Sequence, residues 1–275
     1  MNKKYSLSLV LQHIIVIFLA MFCLFPVVWV FLSSFKPQSE LFKIPMTFLP
    51  KNWTILNYIE ALKHGSFITY FSNTLFVAVV STVITVLINI MCGYALAKYI
   101  FPGRNLIFSI MIGTLMIPLQ VIMIPIFLQL KRLGMLNSLW GIIIPPAATP
   151  TGIFLARQYM VNLPNSMIES ARIDGAKEFF IFRTIIIPLS KPIVATIAIF
   201  SFMWRWNDYL WPLIVITDND KQTLQQALAN FVGQLQINWS NLLAMTTISI
   251  IPVIVVFLIF QRYFMSGITT GAVKG

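Results

Sequence analysis

The sequence predicts an all-α, polytopic membrane protein with about six transmembrane helices. Of its 275 residues, 58% are hydrophobic and only 10% are charged, whereas soluble domains carry about 25% charged residues. The mean hydropathy is +0.85, and several apolar runs reach the ~20 residues that a helix needs to cross the hydrocarbon core. Because irregular backbone cannot face lipid, runs of this length are predicted to be helices. The whole chain, 1–275, is therefore predicted to be one transmembrane domain.

The spans are predicted in the order of the apolar runs, at 8–33, 67–97, 106–130, 139–159, 192–216 and 242–260. The first follows Lys3 and Lys4, as in a signal peptide, but its uncharged stretch exceeds the ~7–15 residues of a signal-peptide core. We therefore expect this span to be retained. The two cysteines, Cys23 and Cys92, lie within spans and are predicted to be packing residues, with no metal site.

The basic residues explain the net charge of +11 as membrane topology. They do not form one stripe, so the sequence argues against nucleic-acid binding. If the N-terminus is cytoplasmic, most Lys and Arg residues fall on the inside, as the positive-inside rule requires. Lys131 and Arg132 go against this bias. We expect a multi-pass protein with both termini in the cytoplasm.

Prolines interrupt two consecutive spans near their middle. Pro118 and Pro125 flank Gln120, and the next span carries Pro145, Pro146 and Pro150. Each proline removes a backbone hydrogen bond and kinks a helix. A single kink is explained by packing, whereas a cluster of kinks is typical of a transport pathway.

Segment 164–188 is polar and interrupts the apolar runs. Ser166 and Glu169 match a capping box, and Asp174-Gly175 predicts a helix stop with Gly175 in the left-handed region. A second helix is expected from Ala176 to Ile186, ended by Pro188. The resulting hairpin either rests on the lipid surface or docks on another protein.

The hairpin residues resemble the EAA loop of ABC-importer permeases, E-A-A-x3-G-x9-I-x-L-P. The match consists of Glu169-Ser-Ala171, Gly175, Ile185, Ile187 and Pro188, with Ser170 and Ile187 replacing the usual alanine and leucine. Longer segments, among them MIPLQVIMIPIFLQLKRLGMLNSLWGIIIPP, ARIDGA, WNDYLWPLIV and QRYFMSGITTGAVKG, are similar to the second permease of carbohydrate importers of the maltose and oligosaccharide type.

This resemblance implies a bacterial plasma-membrane subunit with several partners. These are a second homologous permease, a dimer of ATP-binding subunits and an extracellular solute-binding protein that delivers a carbohydrate. It also implies that the EAA hairpin couples to the ATPase through Glu169, Ser170, Ala171, Asp174, Gly175 and Pro188. The tail 267–275 resembles family tails that reach toward the ATPase pair. The chain has no phosphate-binding loop, so ATP and Mg²⁺ are expected on the partner and the chain itself is not expected to be an enzyme or to hold a cofactor.

The substrate pathway is expected near WRWNDYLW in the fifth span. Arg205 and Asp208 are three residues apart and can meet on one helical face. One interpretation is a structural ion pair in an outer aromatic belt. The other interpretation is a surface that faces a sugar. Its candidate lining residues are Gln120, Trp204, Asn207 and Asp208, and Asn73 and Asn89 are weaker candidates.

Three alternatives stay open. A permease of the same family could carry glycerol phosphate. An ion-coupled secondary transporter would need a buried carboxylate relay, for which the spans offer only Asp208. A membrane-embedded enzyme would need carboxylates at one membrane face, and Glu169, Asp174 and Glu178 are already explained by the hairpin.

Overall fold

The computed structural model describes the backbone of residues 7–63, 66–233 and 237–272, and side chains from 9 to 262 within these ranges. These residues form helices and no strand. The elements are α1 Leu7–Ser33, α2 Gln38–Leu41, α3 Leu56–Lys63, α4 Phe67–Lys98, α5 Arg104–Thr114, α6 Leu119–Arg132, α7 Leu139–Ile143, α8 Pro150–Val161, α9 Asn165–Ile173, α10 Glu178–Ile181, a π-helical turn Phe182–Ile186, α11 Ile187–Leu189, α12 Lys191–Trp206, α13 Leu210–Val215, a 3₁₀ turn Asn219–Lys221, α14 Leu224–Val232 and α15 Trp239–Ala272.

Three helices, α1, α4 and α15, are long and apolar enough to cross a membrane. They contain the predicted spans 8–33, 67–97 and 242–260, which are confirmed as helices. Two bent pairs add further candidates: α5 with α6, bent by 104°, and Glu178–Leu189 with α12, bent by 80°. Among the described residues this gives up to five spans, so the count of six stays a prediction.

The prediction of single helices at 106–130, 139–159 and 192–216 is wrong. The first is broken between α5 and α6, where Pro118 adopts an extended ψ of 137° as the N-cap of α6. The second is broken between α7 and α8, because Pro145, Pro146 and Pro150 cannot supply the N–H groups of a continuous helix. Pro125, in contrast, lies inside α6 without ending it.

The third break separates α12 from α13 and involves no proline. Asn207 is the C-cap of α12, and its Nδ2 donates to the Met203 carbonyl oxygen at 2.9 Å. Asp208 accepts the N–H of Trp211, in the first turn of α13, at 3.3 Å. Asn and Asp side chains compete with the helix for backbone groups, and here they divide the predicted fifth span.

The chain divides into two compact units, and the first comprises Met1–Phe67 and Ala227–Ile251. Its loop after α1 folds around Glu40, whose carboxylate accepts the N–H groups of Lys51 at 2.7 Å and Asn52 at 3.2 Å. Lys36 donates to the Thr47 carbonyl oxygen and lies 4.8 Å above the Trp29 ring. These bonds fold the segment after α1 into a packed loop.

The second unit comprises Ile68–Gln226 and Pro252–Gly275. Two buried apolar clusters lie among its described residues. One gathers α4, α6, α7 and α13 around side chains such as Ile142, Ile143 and Trp211. The other joins the polar hairpin to α4, α8 and α12, and it positions the candidate functional site.

Candidate functional site: the hairpin and the polar cluster

The first helix of the hairpin, α9, begins at Asn165 with Pro164 as its N-cap and no side-chain cap. The predicted capping box of Ser166 and Glu169 is therefore wrong. The fixed φ of Pro164, −61°, together with its extended ψ of 125°, starts the helix earlier and leaves Ser166 inside the first turn. The start of α9 is instead held by Lys98, whose Nζ donates to Asn165 Oδ1 at 2.7 Å.

The turn between the two helices is formed as predicted. Asp174 is the C-cap of α9, and Gly175 has a φ of +78°. The N–H of Ala176 donates to the Ala171 carbonyl oxygen at 2.9 Å, and the N–H of Gly175 donates to that of Arg172 at 3.0 Å. These two bonds define a Schellman motif, which satisfies the last carbonyl groups of the helix.

The second half of the hairpin differs from the prediction at both ends. It begins at Glu178 rather than Ala176, with Lys177 as the N-cap, and Pro188 does not end it. A π-helical turn, Phe182–Ile186, precedes the proline, and helix continues to Leu189. The proline ring would clash with the carbonyl four residues earlier in a regular α-helix, and the wider π turn displaces that carbonyl.

One face of the hairpin is buried. Ile168, Ile181, Phe182 and Ile186 lie in the cluster that also contains side chains of α4, α8 and α12, with Ala171 packed at its edge. The neighbours on those helices are Ile90 and Tyr94, Ala156 and Met160, and Ile193 and Ile197. Displacement of the hairpin would therefore act on three helices at once, because packed interiors transmit strain.

The opposite face is exposed. It carries five of the six predicted coupling residues, Glu169, Ser170, Asp174, Gly175 and Pro188. It also exposes large apolar side chains. Ile173 is 86% accessible, and Met167, Phe179 and Phe180 of the same hairpin are also exposed. Exposed apolar side chains beside polar ones are typical of a protein-docking surface.

A polar cluster closes the turn and was missed by sequence reasoning. Arg172 Nε lies 2.6 Å from Glu178 Oε1, and Nη2 lies 3.3 Å from Oε2. Tyr99, directly after α4, donates its hydroxyl to Glu178 Oε2. The bonds from Arg172 and then Tyr99 hold the pKa of Glu178 below its usual value. Burial, followed by the bond to Glu178, raises the pKa of Tyr99.

Lys98 forms a second tie between α4 and the hairpin. Its Nζ lies 2.6 Å from the Leu163 carbonyl oxygen, just before α9. Because the partners of Lys98 and Tyr99 lie more than sixty residues away in sequence, only their position at the end of an apolar run could have marked them as interface residues.

A cavity of about 360 Å³ lies beside α12 in the second unit. Its lining contains apolar side chains and several hydroxyl groups: Thr85, Thr149, Thr151, Gly152, Leu155, Ile197, Phe200, Ser201, Trp204 and Arg205. Of the predicted pathway residues, only Trp204 lines this cavity. Gln120 is exposed near the start of α6, outside it.

The remaining pathway candidates make bonds within the chain. Asn73 donates to the carbonyl oxygens of Asp220 and Gln222, each at 3.0 Å, and Asn89 bonds to Thr149. Asp208 pairs with Arg205 at 3.4 Å, and the two side chains are only 19% and 12% accessible. The expected ion pair is therefore formed, but Asp208 lies beyond the end of α12 rather than on its face.

Comparisons with known proteins agree with this architecture. Residues 89–270 match the family of binding-protein-dependent transport system inner membrane components. The chain is 38% identical to the arabinooligosaccharides transport system permease protein AraQ of Halalkalibacterium halodurans, over 94% of each chain. It is 32% identical to the sn-glycerol-3-phosphate transport system permease protein UgpE of Yersinia pestis, over 93% of this chain and 94% of that one.

A solved structure supports the same assignment. The structure is similar to a chain of a bacterial ABC transporter involved in the import of the acidic polysaccharide alginate, with a TM-score of 0.84 and 29% identity over 96% of this chain and 100% of that one. The chain belongs to the family of binding-protein-dependent transport system inner membrane components.

Proposed function

We propose that this chain is one of two permease subunits of an ATP-driven importer that carries a carbohydrate across the bacterial plasma membrane. A solute-binding protein delivers the substrate from outside, and two ATPase subunits bind ATP and Mg²⁺ on the cytoplasmic side. Both termini of this chain face the cytoplasm. The names of the relatives, which include an arabinooligosaccharide permease, support the carbohydrate class.

The observation that carries this proposal is the two-faced hairpin. Its inner face is packed against α4, α8 and α12, and its outer face presents Glu169, Gly175 and exposed apolar side chains such as Ile173. An ATPase that grips the outer face and closes on ATP supplies the differential interaction that a change between two states requires. The three helices then move with the hairpin and change access to the pathway.

The energy source must lie outside this chain. Its sequence contains no G-x-x-x-x-G-K-[ST] loop to cradle phosphates. A relay of buried carboxylates, which ion coupling would require, is not supplied by Asp208, because that carboxylate pairs with Arg205. ATP bound by the partner subunits is therefore the source we propose.

The cavity beside α12 supports a sugar as the cargo. Its volume of about 360 Å³ falls within the ~300–1,000 Å³ of small-molecule sites. The rings of Trp204 and Phe200 can cover the apolar face of a sugar, and Thr151 and Ser201 offer hydroxyl groups. Asp208 compensates the charge of Arg205, which favours a neutral substrate.

Glycerol phosphate is the second candidate. One relative of similar length and 32% identity is a glycerol-3-phosphate permease. Arg205, which lines the cavity, is a residue that suits phosphate. The two candidates differ in charge, so transport assays with both substrates separate them.

The test is reconstitution of the complete transporter in proteoliposomes. We expect uptake of an arabino-oligosaccharide that requires ATP, the binding protein and all subunits, and that survives a protonophore. Uptake by this chain alone, or uptake abolished by the protonophore while ATP is present, would contradict the proposal. Preferential uptake of glycerol 3-phosphate would assign the second candidate.

A pair of variants tests the docking face. Ile173→Asp should abolish co-purification of the ATPase, because it places a charge in an apolar interface. Ile44→Asp is the matched control, since Ile44 is 94% accessible and lies in the loop after α1, which we predict to be extracellular. Equal loss of the ATPase in both variants would argue against docking on the hairpin.

A further inference from the structure

We infer that Tyr99, Arg172 and Glu178 form a lock that fixes the hairpin turn to the end of α4 and sets how much of an ATP-driven movement reaches that helix. We refer to these three residues as the turn lock. The inference rests on the proposed function, because it assigns positioning residues to the coupling step. None of the three occupies a fixed position of the EAA pattern E-A-A-x3-G-x9-I-x-L-P.

The first part of the lock spans the turn. Arg172 lies in the last turn of α9 and Glu178 is the first residue of α10, so their two bonds, of 2.6 and 3.3 Å, bridge the helices on either side of Gly175. A bidentate pair between a guanidinium and a carboxylate fixes orientation as well as distance. The pair therefore restricts the angle at which α9 and α10 meet.

The second part joins this pair to α4. Tyr99 donates its hydroxyl to Glu178, and the Arg172 guanidinium lies 5.6 Å from the centre of the Tyr99 ring. The Tyr99 ring in turn packs edge-on against Tyr94, at 5.4 Å between centroids. Because Tyr94 belongs to α4, a displacement of the turn acts directly on the end of that helix.

Lys98 strengthens the attachment at the other end of the hairpin. Its bonds to the Leu163 carbonyl oxygen and to Asn165 hold the entry to α9, while Tyr99 holds the start of α10. Two consecutive residues, Lys98 at the end of α4 and Tyr99 directly after it, therefore bond to both halves of the hairpin.

Earlier in α4, Thr85 and Asn89 bond to Pro146 and Thr149 at the break before α8. Thr85 and Thr149 also line the cavity. The helix therefore connects the turn to the proposed pathway.

Energetics indicate a role in coupling rather than in folding. The Arg172 and Glu178 side chains are 40% and 47% accessible, and exposed ion pairs contribute little to stability. The packing of Ile168, Ile181 and Phe182 already holds the hairpin in place. Loss of the lock should therefore loosen the turn while the subunit stays folded and assembled.

The test is a charge-reversal cycle in the complete reconstituted transporter, with ATP hydrolysed per sugar imported as the readout. Arg172→Glu and Glu178→Arg should each raise that ratio by up to about fivefold, the factor expected for an exposed ion pair. The double variant, which restores opposite charges, should recover a ratio near that of the wild type. Tyr99→Phe keeps the ring and removes the donated bond, so we expect a smaller rise.

The matched control is the Asp218–Lys221 pair, which lies 3.6 Å apart with accessibilities of 44% and 48%. Asp218→Lys should leave the ratio unchanged. Assembly is measured in every variant by co-purification of the ATPase and by the melting temperature, so that misfolding is distinguished from uncoupling.

Three results would overturn the inference. In the first, the single reversals hydrolyse as much ATP per sugar as the wild type. In the second, the double variant has a ratio as high as the single variants. In the third, Asp218→Lys raises the ratio as much as they do. If the wild-type complex itself imports no sugar with ATP, the proposed function fails, and this outcome is distinct from failure of the lock.

Discussion

The side-chain amide of Asn89 bonds twice to Thr149: Nδ2 lies 2.7 Å from the Thr149 hydroxyl oxygen, and Oδ1 accepts the Thr149 N–H at 3.0 Å. Asn89 is fully buried in α4, and Thr149 is the N-cap of α8. No side chain of α8 caps its start, and the Asn89 amide bonds to the N-cap residue instead. Asn89 therefore uses its amide for a contact within the protein.

Gly152→Ala tests this bridge, because a Cβ at Gly152 would overlap Asn89 Nδ2 and lie 2.6 Å from Thr149 Oγ1. Overpacking of this kind costs about 1–3 kcal/mol, so we expect a lower melting temperature in detergent. Gly113→Ala is the control, since a Cβ there meets nothing within 4 Å. A melting temperature of Gly152→Ala equal to that of the control would show that the two side chains can move aside.

Gly175→Pro should uncouple ATP hydrolysis from uptake while the subunit stays inserted and assembled. Proline fixes φ near −65°, whereas Gly175 has a φ of +78°, and the bond from its N–H to Arg172 would be lost. Gly175→Ala should have a milder effect: it should destabilise the hairpin turn by about 1 kcal/mol, because alanine keeps the N–H group and is strained only by the left-handed φ. ATPase and uptake rates measured in parallel check both variants.

The control for this series is Gly103→Ala. Gly103 has a φ of +80° and, like Gly175, open space around its Cβ position, but it lies outside the hairpin. It should show the same backbone strain without uncoupling. Normal transport by Gly175→Pro would count heavily against the proposed coupling.

Asp208→Asn should destabilise the subunit by about 3 kcal/mol, because it leaves the buried Arg205 guanidinium without its counter-ion. The asparagine keeps an oxygen for the Trp211 N–H, so the change isolates the charge. In Arg205→Met/Asp208→Asn no charge is left unpaired, and much of the stability should return. A higher KM for sugar with an unchanged melting temperature in Asp208→Asn would instead indicate a substrate ligand.

Glu40 should make the first unit sensitive to acid. The bond from the Lys51 N–H lowers the pKa of Glu40, against the opposing effect of burial. A lowered folded-state pKa means that the carboxylate stabilises the loop above the ordinary carboxyl pKa, and that this contribution is lost as the pH falls through the lowered value. The melting temperature should fall on acidification, and Glu40→Gln should flatten this dependence.

Trypsin provides an independent measurement for the same loop. Lys43 and Lys51 are exposed beside Glu40, so Glu40→Gln should accelerate cleavage at both. Glu60→Gln is the control, because Glu60 accepts a bond from Asn241 outside this loop. Equal cleavage in the two variants would contradict the role of Glu40.

Local signals predicted much of the hairpin, whereas long-range contacts escaped prediction. Asp174-Gly175 was sufficient to predict the turn, because left-handed backbone is a property of a single residue. The capping box predicted from Ser166 and Glu169 was wrong, because Pro164 is the N-cap and the helix begins at Asn165. The break at Asn207 carried no proline, and the bonds of Lys98 and Tyr99 depend on packing between distant segments.

The tail 267–275 lies beyond the described side chains, so its role stays a prediction.

The interruptions at 115–118, 144–149 and 207–209 bear on the biogenesis of the subunit. Broken backbone at membrane depth is tolerated only where protein or a water-filled cavity covers it. In the two-permease assembly that we propose, a copy synthesised without its partner would present the exposed residues 115–118 to acyl chains. Cells should therefore produce the two permeases in matched amounts, and orphaned copies should be recognised and degraded by membrane proteases.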